Sequence, residues 1–360
     1  MILMKVDISK VDANFLAGTK IAKDDIIWFS ILESPIAIHG LAVTEEGKFW
    51  RLPEDLIDHV NEGVSVLGRH TAGGRIRFRT DSPYIAYRAK PLNSGYMSHM
   101  PLTGSVGADI LVNGEACTTF RPSHDSAEWY EGILEIGEDV GRMQGMKDVE
   151  LNMGLYNGIT EGYIGLKSGC ALEAPKPYSI EKPVVYYGNS VTQGGCASKP
   201  GNSFPAFLGR WLDTDHINLG FSGSGRGEEN MARHIASLPM SLFFMDYDHN
   251  APTAEHLWRT HYPFYKIIRD AQPDLPIIIA TMPNLDLRPA WREERFLAIR
   301  ATYDRAVAEG DTNVYFIDGK TLFGSADRSA CTMDGAHPND LGFYRMAENI
   351  LPVMKKALKL

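Results

Sequence analysis

The sequence predicts an α/β protein in which an all-β sandwich or jelly roll precedes a parallel sheet covered by helices on both faces. Two observations set the halves apart. Short alternating strands broken by turns fill the first half, and apolar strands separated by amphipathic helical runs fill the second. A third observation divides them: Glu173–Pro183 (EAPKPYSIEKP) carries three prolines, as a short extended linker does. The expected domains are therefore residues 1–175 and 176–360.

In the first half, Arg75–Arg79 (RIRFR) alternates charged and apolar residues, the pattern of a half-buried strand. Asp81-Ser82-Pro83 supplies turn chemistry, and Tyr84–Arg88 (YIAYR) reads as the next strand. Asp109–Val112 runs into Asn113-Gly114, a hairpin signal, because both turn positions need positive φ. Tyr163–Lys167 is a further short strand.

In the second half the expected strands are Val184–Tyr187, a stretch near His216–Leu219, Leu242–Met245, Pro276–Thr281 and Val314–Ile317. The expected helices are Phe204–Leu212, His256–Ala271 with a kink at Pro263, Arg292–Ala308 and Leu341–Leu358. Apolar strands alternating with helices imply a parallel sheet buried on both faces.

Composition excludes several classes. A net charge of −9 speaks against a nucleic-acid or anionic-membrane binder, both of which need basic surface. No run of about 18 apolar residues suggests a membrane span. The first residues, MILMKVDISKVDANF, do not read as a secretory leader, so a cytoplasmic protein is expected. Cys117, Cys170, Cys196 and Cys331 lie far apart with no CxxC pair, which predicts free thiols and neither a zinc site nor a redox motif. No metal and no cofactor are expected, and a homo-oligomer is compatible with everything in the sequence.

In parallel α/β sheets functional groups gather at the carboxyl ends of strands. Four such places carry unusual residues: Gly188-Asn189-Ser190, Gly220-Phe221-Ser222-Gly223-Ser224-Gly225, Asp246-Tyr247-Asp248-His249-Asn250, and Asp334-Gly335-Ala336-His337 before the last helix. Acyl transfer gives each a task. A serine hydroxyl is a weak nucleophile until a base adjoins it. A histidine serves when a carboxylate fixes its tautomer. The oxyanion intermediate needs preset donors. Asp334 and His337 lie three residues apart in one tight loop, so the carboxylate can reach the imidazole. Taken singly, each has an ordinary reading: a helix cap for the serine, a turn for the glycine, a loop for the asparagine. Their occurrence in this order, each at an element end, favours a hydrolase. An α/β-hydrolase elbow fits less well, because Thr192 stands where Gly-x-Ser-x-Gly needs its last glycine.

These blocks resemble the SGNH/GDSL hydrolase superfamily over roughly residues 183–358. The resemblance implies a three-layer, flavodoxin-like fold, a catalytic Ser190, His337 and Asp334, and an oxyanion hole from Ser190 N–H, Gly223 N–H and the Asn250 amide. Asn189 replaces the family's usual aspartate, and the third block lacks both its glycine and its final aspartate. In the first half, Gly107-Ala108-Asp109-Ile110-Leu111 is similar to the Gly-x-Asp-Leu-Tyr signature of a β-domain that precedes some SGNH domains, with Ile110 and Leu111 in place of Leu-Tyr. A jelly roll before an SGNH domain also resembles certain carbohydrate acetylesterases. That resemblance implies removal of acetyl groups from acetylated oligosaccharides. Asn189, Asp248, His249, His99 and Thr103 are the candidate substrate contacts, the last two on a segment, Gly95–Gly107, expected to reach toward Ser190. A lipase or thioesterase for other acyl esters, and a sugar-binding protein with an inactive hydrolase domain, are the alternatives. Trp28, Trp50, Trp129, Trp258 and Trp291 could stack on sugars, with core packing the expectation for most.

Overall fold

A computed structural model describes residues 21–124, 126–138, 140–283 and 289–360. The reading of residues 1–15 as lacking a leader lies outside the described residues.

Two antiparallel sheets form the first unit. One orders Ile26–Ser30, Ile159–Lys167, Tyr84–Pro91 and Tyr130–Glu135. The other orders Leu172–Glu173, Arg75–Thr80, Lys147–Asn152, Ala108–Val112 and Glu115–Phe120, with Ala37–His39 also paired to Arg75–Thr80. Alternate residues of both sheets meet in one core, among them Ile76, Phe78, Ile85, Tyr87, Ile110, Val112, Val149, Leu151, Ile164 and Leu166. Asn113 and Gly114 both adopt positive φ, 51° and 80°, as the hairpin signal predicts.

The second unit is a five-stranded parallel sheet ordered Thr214–Gly220, Ile180–Gly188, Leu242–Asp246, Ile277–Ala280, Val314–Ile317. In chain order this is 2-1-3-4-5, the flavodoxin-like arrangement, whose switch point lies between the strands ending at Gly188 and Asp246. Strand periodicity divides the core. Val184 and Tyr186 face the helices Phe204–Leu212 and Asp340–Leu358. Val185 and Tyr187 face Glu229–Ser237, Ala254–Ala271 and Pro289–Ala308. The Ala254–Ala271 helix runs through Pro263 without interruption. No helix among the described residues is long and apolar enough to cross a membrane.

Two features of the first half depart from its β-rich reading. Glu54–Ile57 and Glu62–Leu67 are helices of 4 and 6 residues, too short to show a helical period. Their Ile57 and Val64, with Leu52, are buried in the core of the parallel sheet beside Val185, Tyr187 and Leu219. Arg75 departs as well. The alternation of RIRFR predicts outward arginines, but this end of the strand meets the second unit. Arg75 is buried there, ion-paired to Asp215, bonded to Tyr178 Oη at 3.1 Å and to the His216 carbonyl at 3.1 Å.

The Gly-x-Asp signature also works across this junction. Asp109 is 1% exposed, and its Oδ1 accepts the Gly201 N–H at 2.6 Å. Burial pushes its carboxyl up to about 6, against the opposing pull of the Gly201 N–H, Lys199, Arg210 and Asn152. Asp109→Ala would leave the Gly201 N–H without its acceptor and should destabilise the fold by about 1–3 kcal/mol in denaturant unfolding. The folded carboxyl binds its proton more tightly than the unfolded one, whose pKa is about 3.9. Its contribution to stability therefore falls as pH rises from about 4 to about 6. Asp109→Asn should flatten that part of the stability profile. An unchanged slope would assign it to other groups.

Candidate active site

The site grows from the end of the Ile180–Gly188 strand. Gly188 must be glycine there: a Cβ would lie 2.2 Å from Thr192 Oγ1 and 2.3 Å from the Asp246 carbonyl. Asn189 follows as the cap of the short Ser190–Gln193 helix, its Oδ1 accepting the Val191 N–H at 2.7 Å. Its Nδ2 donates to the Asp246 carbonyl at 3.1 Å and to Asp246 Oδ1 at 3.4 Å. On the other flank Thr192 Oγ1 donates to Asp246 Oδ2 at 3.2 Å. Asp246 thus clamps both sides of Ser190. Burial and the neighbouring Asp248 carboxylate push the Asp246 carboxyl well up.

Ser190 Oγ lies 2.9 Å from His337 Nε2, and His337 Nδ1 lies 2.7 Å from Asp334 Oδ2. Asp334 Oδ1 accepts the backbone N–H of His337 at 2.8 Å and of Ala336 at 3.0 Å. Partial burial works to raise the Asp334 carboxyl, but the His337 N–H, the His337 ring and the Ala336 N–H outweigh it and hold it at about 2. An ionised carboxylate only accepts, so Nδ1 carries the proton and Nε2 is left to accept from the serine hydroxyl. The bonds thus run from Ser190 Oγ–H to His337 and from His337 Nδ1–H to Asp334.

Gly223 has a φ of 66° and nothing within 4 Å of a would-be Cβ, so its loop opens to solvent at that point. The loop is tied to the serine turn by Phe221 N–H to the Gly188 carbonyl, 3.0 Å, and Ser222 N–H to Gln193 Oε1, 2.9 Å. Asn250 holds its far side: Nδ2 donates to the Phe221 carbonyl at 2.8 Å and the Gly225 carbonyl at 3.1 Å. Both amide hydrogens of Asn250 are therefore directed at backbone oxygens.

The candidate substrate contacts divide. Asn189 is fully buried among Val191 and Asp246, which corrects its expected place on the substrate side. Asp248 is also corrected: it is 1% exposed, accepts the Met282 N–H at 2.9 Å, and burial pushes its carboxyl up. His249 is half-buried beside Trp291, ring centroids 6.1 Å apart. Burial, then the His337 and Arg295 charges, lower its imidazole to about 4, so it is neutral at physiological pH. His99, from the first unit, is exposed with its ring 6.0 Å from that of His337. Thr103 donates its hydroxyl to the Ser198 carbonyl at 2.6 Å, which fixes the segment against the second unit. Sequence reasoning missed Tyr156, whose hydroxyl donates to the Ser190 carbonyl at 3.3 Å, because no motif marks it. Trp129 and Trp258 are 43% and 54% exposed, so core packing does not account for them. Cys170, Cys196 and Cys331 form no disulfide. Burial pushes the Cys196 thiol up to about 11, which disfavours a thiolate nucleophile. Among the described residues no group of three or more His, Cys, Asp or Glu is arranged to hold a metal ion.

The GDSL-like lipase/acylhydrolase family matches residues 181–355, and the N-terminal domain of SGNH-hydrolase-type esterases, GxDLY, matches residues 26–172. A protein described as a GDSL-like lipase from Bacteroides ovatus ATCC 8483 is similar at 26% identity, TM-score 0.82, over 93% of this chain and 98% of that one. A salicylyl-acyltransferase from a tetracycline biosynthetic pathway shares the fold at 21% identity and TM-score 0.76, over 93% and 98% of the two chains. So does an acetyl xylan esterase from the rumen bacterium Butyrivibrio proteoclasticus, at 12% identity and TM-score 0.59, over 93% and 99%. No curated protein matches. The fold and the site thus define a carboxylic ester hydrolase. Within that class, the chain belongs to the SGNH/GDSL hydrolases that carry a GxDLY-type N-terminal domain.

Asn189→Ala should lower stability by about 1–3 kcal/mol, since it removes a helix cap and a buried hydrogen-bond donor. A stable variant with only a raised KM would return Asn189 to the substrate side.

Proposed function

We propose that the protein removes acetyl groups from acetylated oligosaccharides through an acyl-enzyme on Ser190. The observation that carries this reading is the unbroken Ser190–His337–Asp334 hydrogen-bond chain at the mouth of the switch point. Ser190 Oγ attacks the ester carbonyl while His337 Nε2 takes its proton. His337 then returns the proton to the departing sugar oxygen, and water, activated the same way, hydrolyses the acetyl-serine. The Ser190 and Gly223 N–H groups stabilise the oxyanion. Asn250 holds the Gly223 loop, and its amide, which donates to the Phe221 and Gly225 carbonyls, would have to release one of them to donate to the oxyanion.

His99 lies beside His337, the neutral His249 is near enough to feel the His337 charge, and Trp291 lies behind His249; such polar and aromatic side chains suit a sugar ring better than a long acyl chain. The likeness in fold to an acetyl xylan esterase supports the same choice. A cytoplasmic location is part of the proposal, supported by the free thiols of Cys170, Cys196 and Cys331.

Acetate release from a panel of acetylated oligosaccharides tests the reading. The wild type should release acetate, while Ser190→Ala and Asp334→Asn, both folded, should lose about 10⁴-fold in kcat. His99→Ala should lose about tenfold in kcat/KM on the oligosaccharide and much less on nitrophenyl acetate, because remote contacts act only on the larger substrate. No acetate from any sugar, with rapid cleavage of long-chain esters, would overturn the substrate assignment.

A further inference from the structure

The first unit supplies a buried arginine to the loop that carries Gly223. Arg51 is 2% exposed, and its guanidinium bridges three backbone carbonyls. Nη1 donates to Gly220 O at 2.5 Å and Asn218 O at 3.2 Å, and Nη2 and Nε donate to Leu67 O at 2.6 and 3.2 Å. The same group lies 4.4 Å from the Phe221 ring centroid. None of the described ion pairs includes Arg51, and its burial lowers its proton affinity, to a pKa of about 9. Burying a charge against carbonyls alone is costly. A Leu or Met would fill the space more cheaply. What such a residue could not do is fork rigidly between the end of the Glu62–Leu67 helix and the start of the Gly220–Gly225 loop.

A second residue of the same segment holds the loop's other end. Asn61 Nδ2 donates to the Ser224 carbonyl at 2.9 Å and to Glu228 Oε1 at 2.6 Å, while its Oδ1 caps Val64 N–H at 2.9 Å. Gly63 lets the two segments approach: a Cβ there would lie 2.0 Å from Ser224 Oγ. The loop is therefore gripped at Gly220–Phe221 and at Ser224 by the first unit, with Gly223 between the grips, its carbonyl accepting from Arg226 of its own loop at 3.1 and 2.8 Å.

We propose that Arg51 and Asn61 are positioning residues for the oxyanion-stabilising Gly223 N–H, so that the N-terminal unit sets the transition-state donor of the catalytic one. This rests on the assignment of Ser190 and Gly223 made above. Donors of this kind act only if held within about 0.5 Å of their productive place. Misplacing one costs rate in the transition state and leaves substrate binding nearly unchanged.

The test uses the full chain with Arg51→Met, Arg51→Lys and Asn61→Ala, assayed with nitrophenyl acetate well below each variant's melting temperature. Arg51→Met should lose about 10- to 100-fold in kcat with KM within about twofold. Its affinity for a methylboronic acid, which forms a tetrahedral adduct with the serine, should weaken by a similar factor, and Arg51→Lys should recover part of both. If Arg51→Met fails to fold, Asn61→Ala, at the less buried grip, should show the same pattern at about fivefold or more. Folded variants with normal kcat and normal boronate affinity would overturn the proposal. If Ser190→Ala is inactive while these variants are normal, this inference alone fails. If Ser190→Ala is active, the assignment beneath it fails first.

Discussion

The Asp246 side chain is where the rest of the site takes its bearings. It ends the central strand and receives Asn189 on one side of Ser190 and Thr192 on the other. A serine at a strand-to-helix turn has many directions open to it, and these bonds leave one. The parallel pairing of Gly188 with Asp246 puts the two segments side by side, so the sheet's strand order itself sets the Ser190 turn against Asp246. His337 then needs to arrive from only one further loop, and Asp334 arrives with it because they share that loop.

A second constraint is the junction between the two units. Asp109, Arg75, Thr103 and Tyr156 all belong to the first unit, and all are bonded into the second. Leu52, Ile57 and Val64 go further and fill part of its core. An accessory domain joined only by a linker would show few such contacts. Here the first unit bears on the serine turn through Tyr156, and His99 stands beside His337.

Much of this was legible in the sequence. The parallel strands and most of their helices were, since buried strands read as apolar runs and helices as repeating stripes; the nine-residue helix Glu229–Ser237 was not expected. Ser190, Asp334 and His337 stood out because acyl transfer admits few residue types and each lay at an element end. Three kinds of information were not legible. Short helices such as Glu54–Ile57 leave no period. The direction of a side chain in a turn is set by tertiary partners, so Asn189 and Asp248 pointed inward where substrate contacts were expected. Partners distant in sequence leave no local trace: Arg51 and Gly220 are 169 positions apart. Arg75 shows the limit of alternation, since its strand faces protein on both sides.

The central claim is that acyl transfer passes through Ser190. Its most direct test is peptide mass analysis of enzyme acid-quenched during turnover of nitrophenyl acetate. The account predicts one acetyl group, on the peptide containing Ser190, absent from Ser190→Ala. An acetyl group on Cys196 instead, or label on Ser190→Ala at the wild-type level, would contradict it.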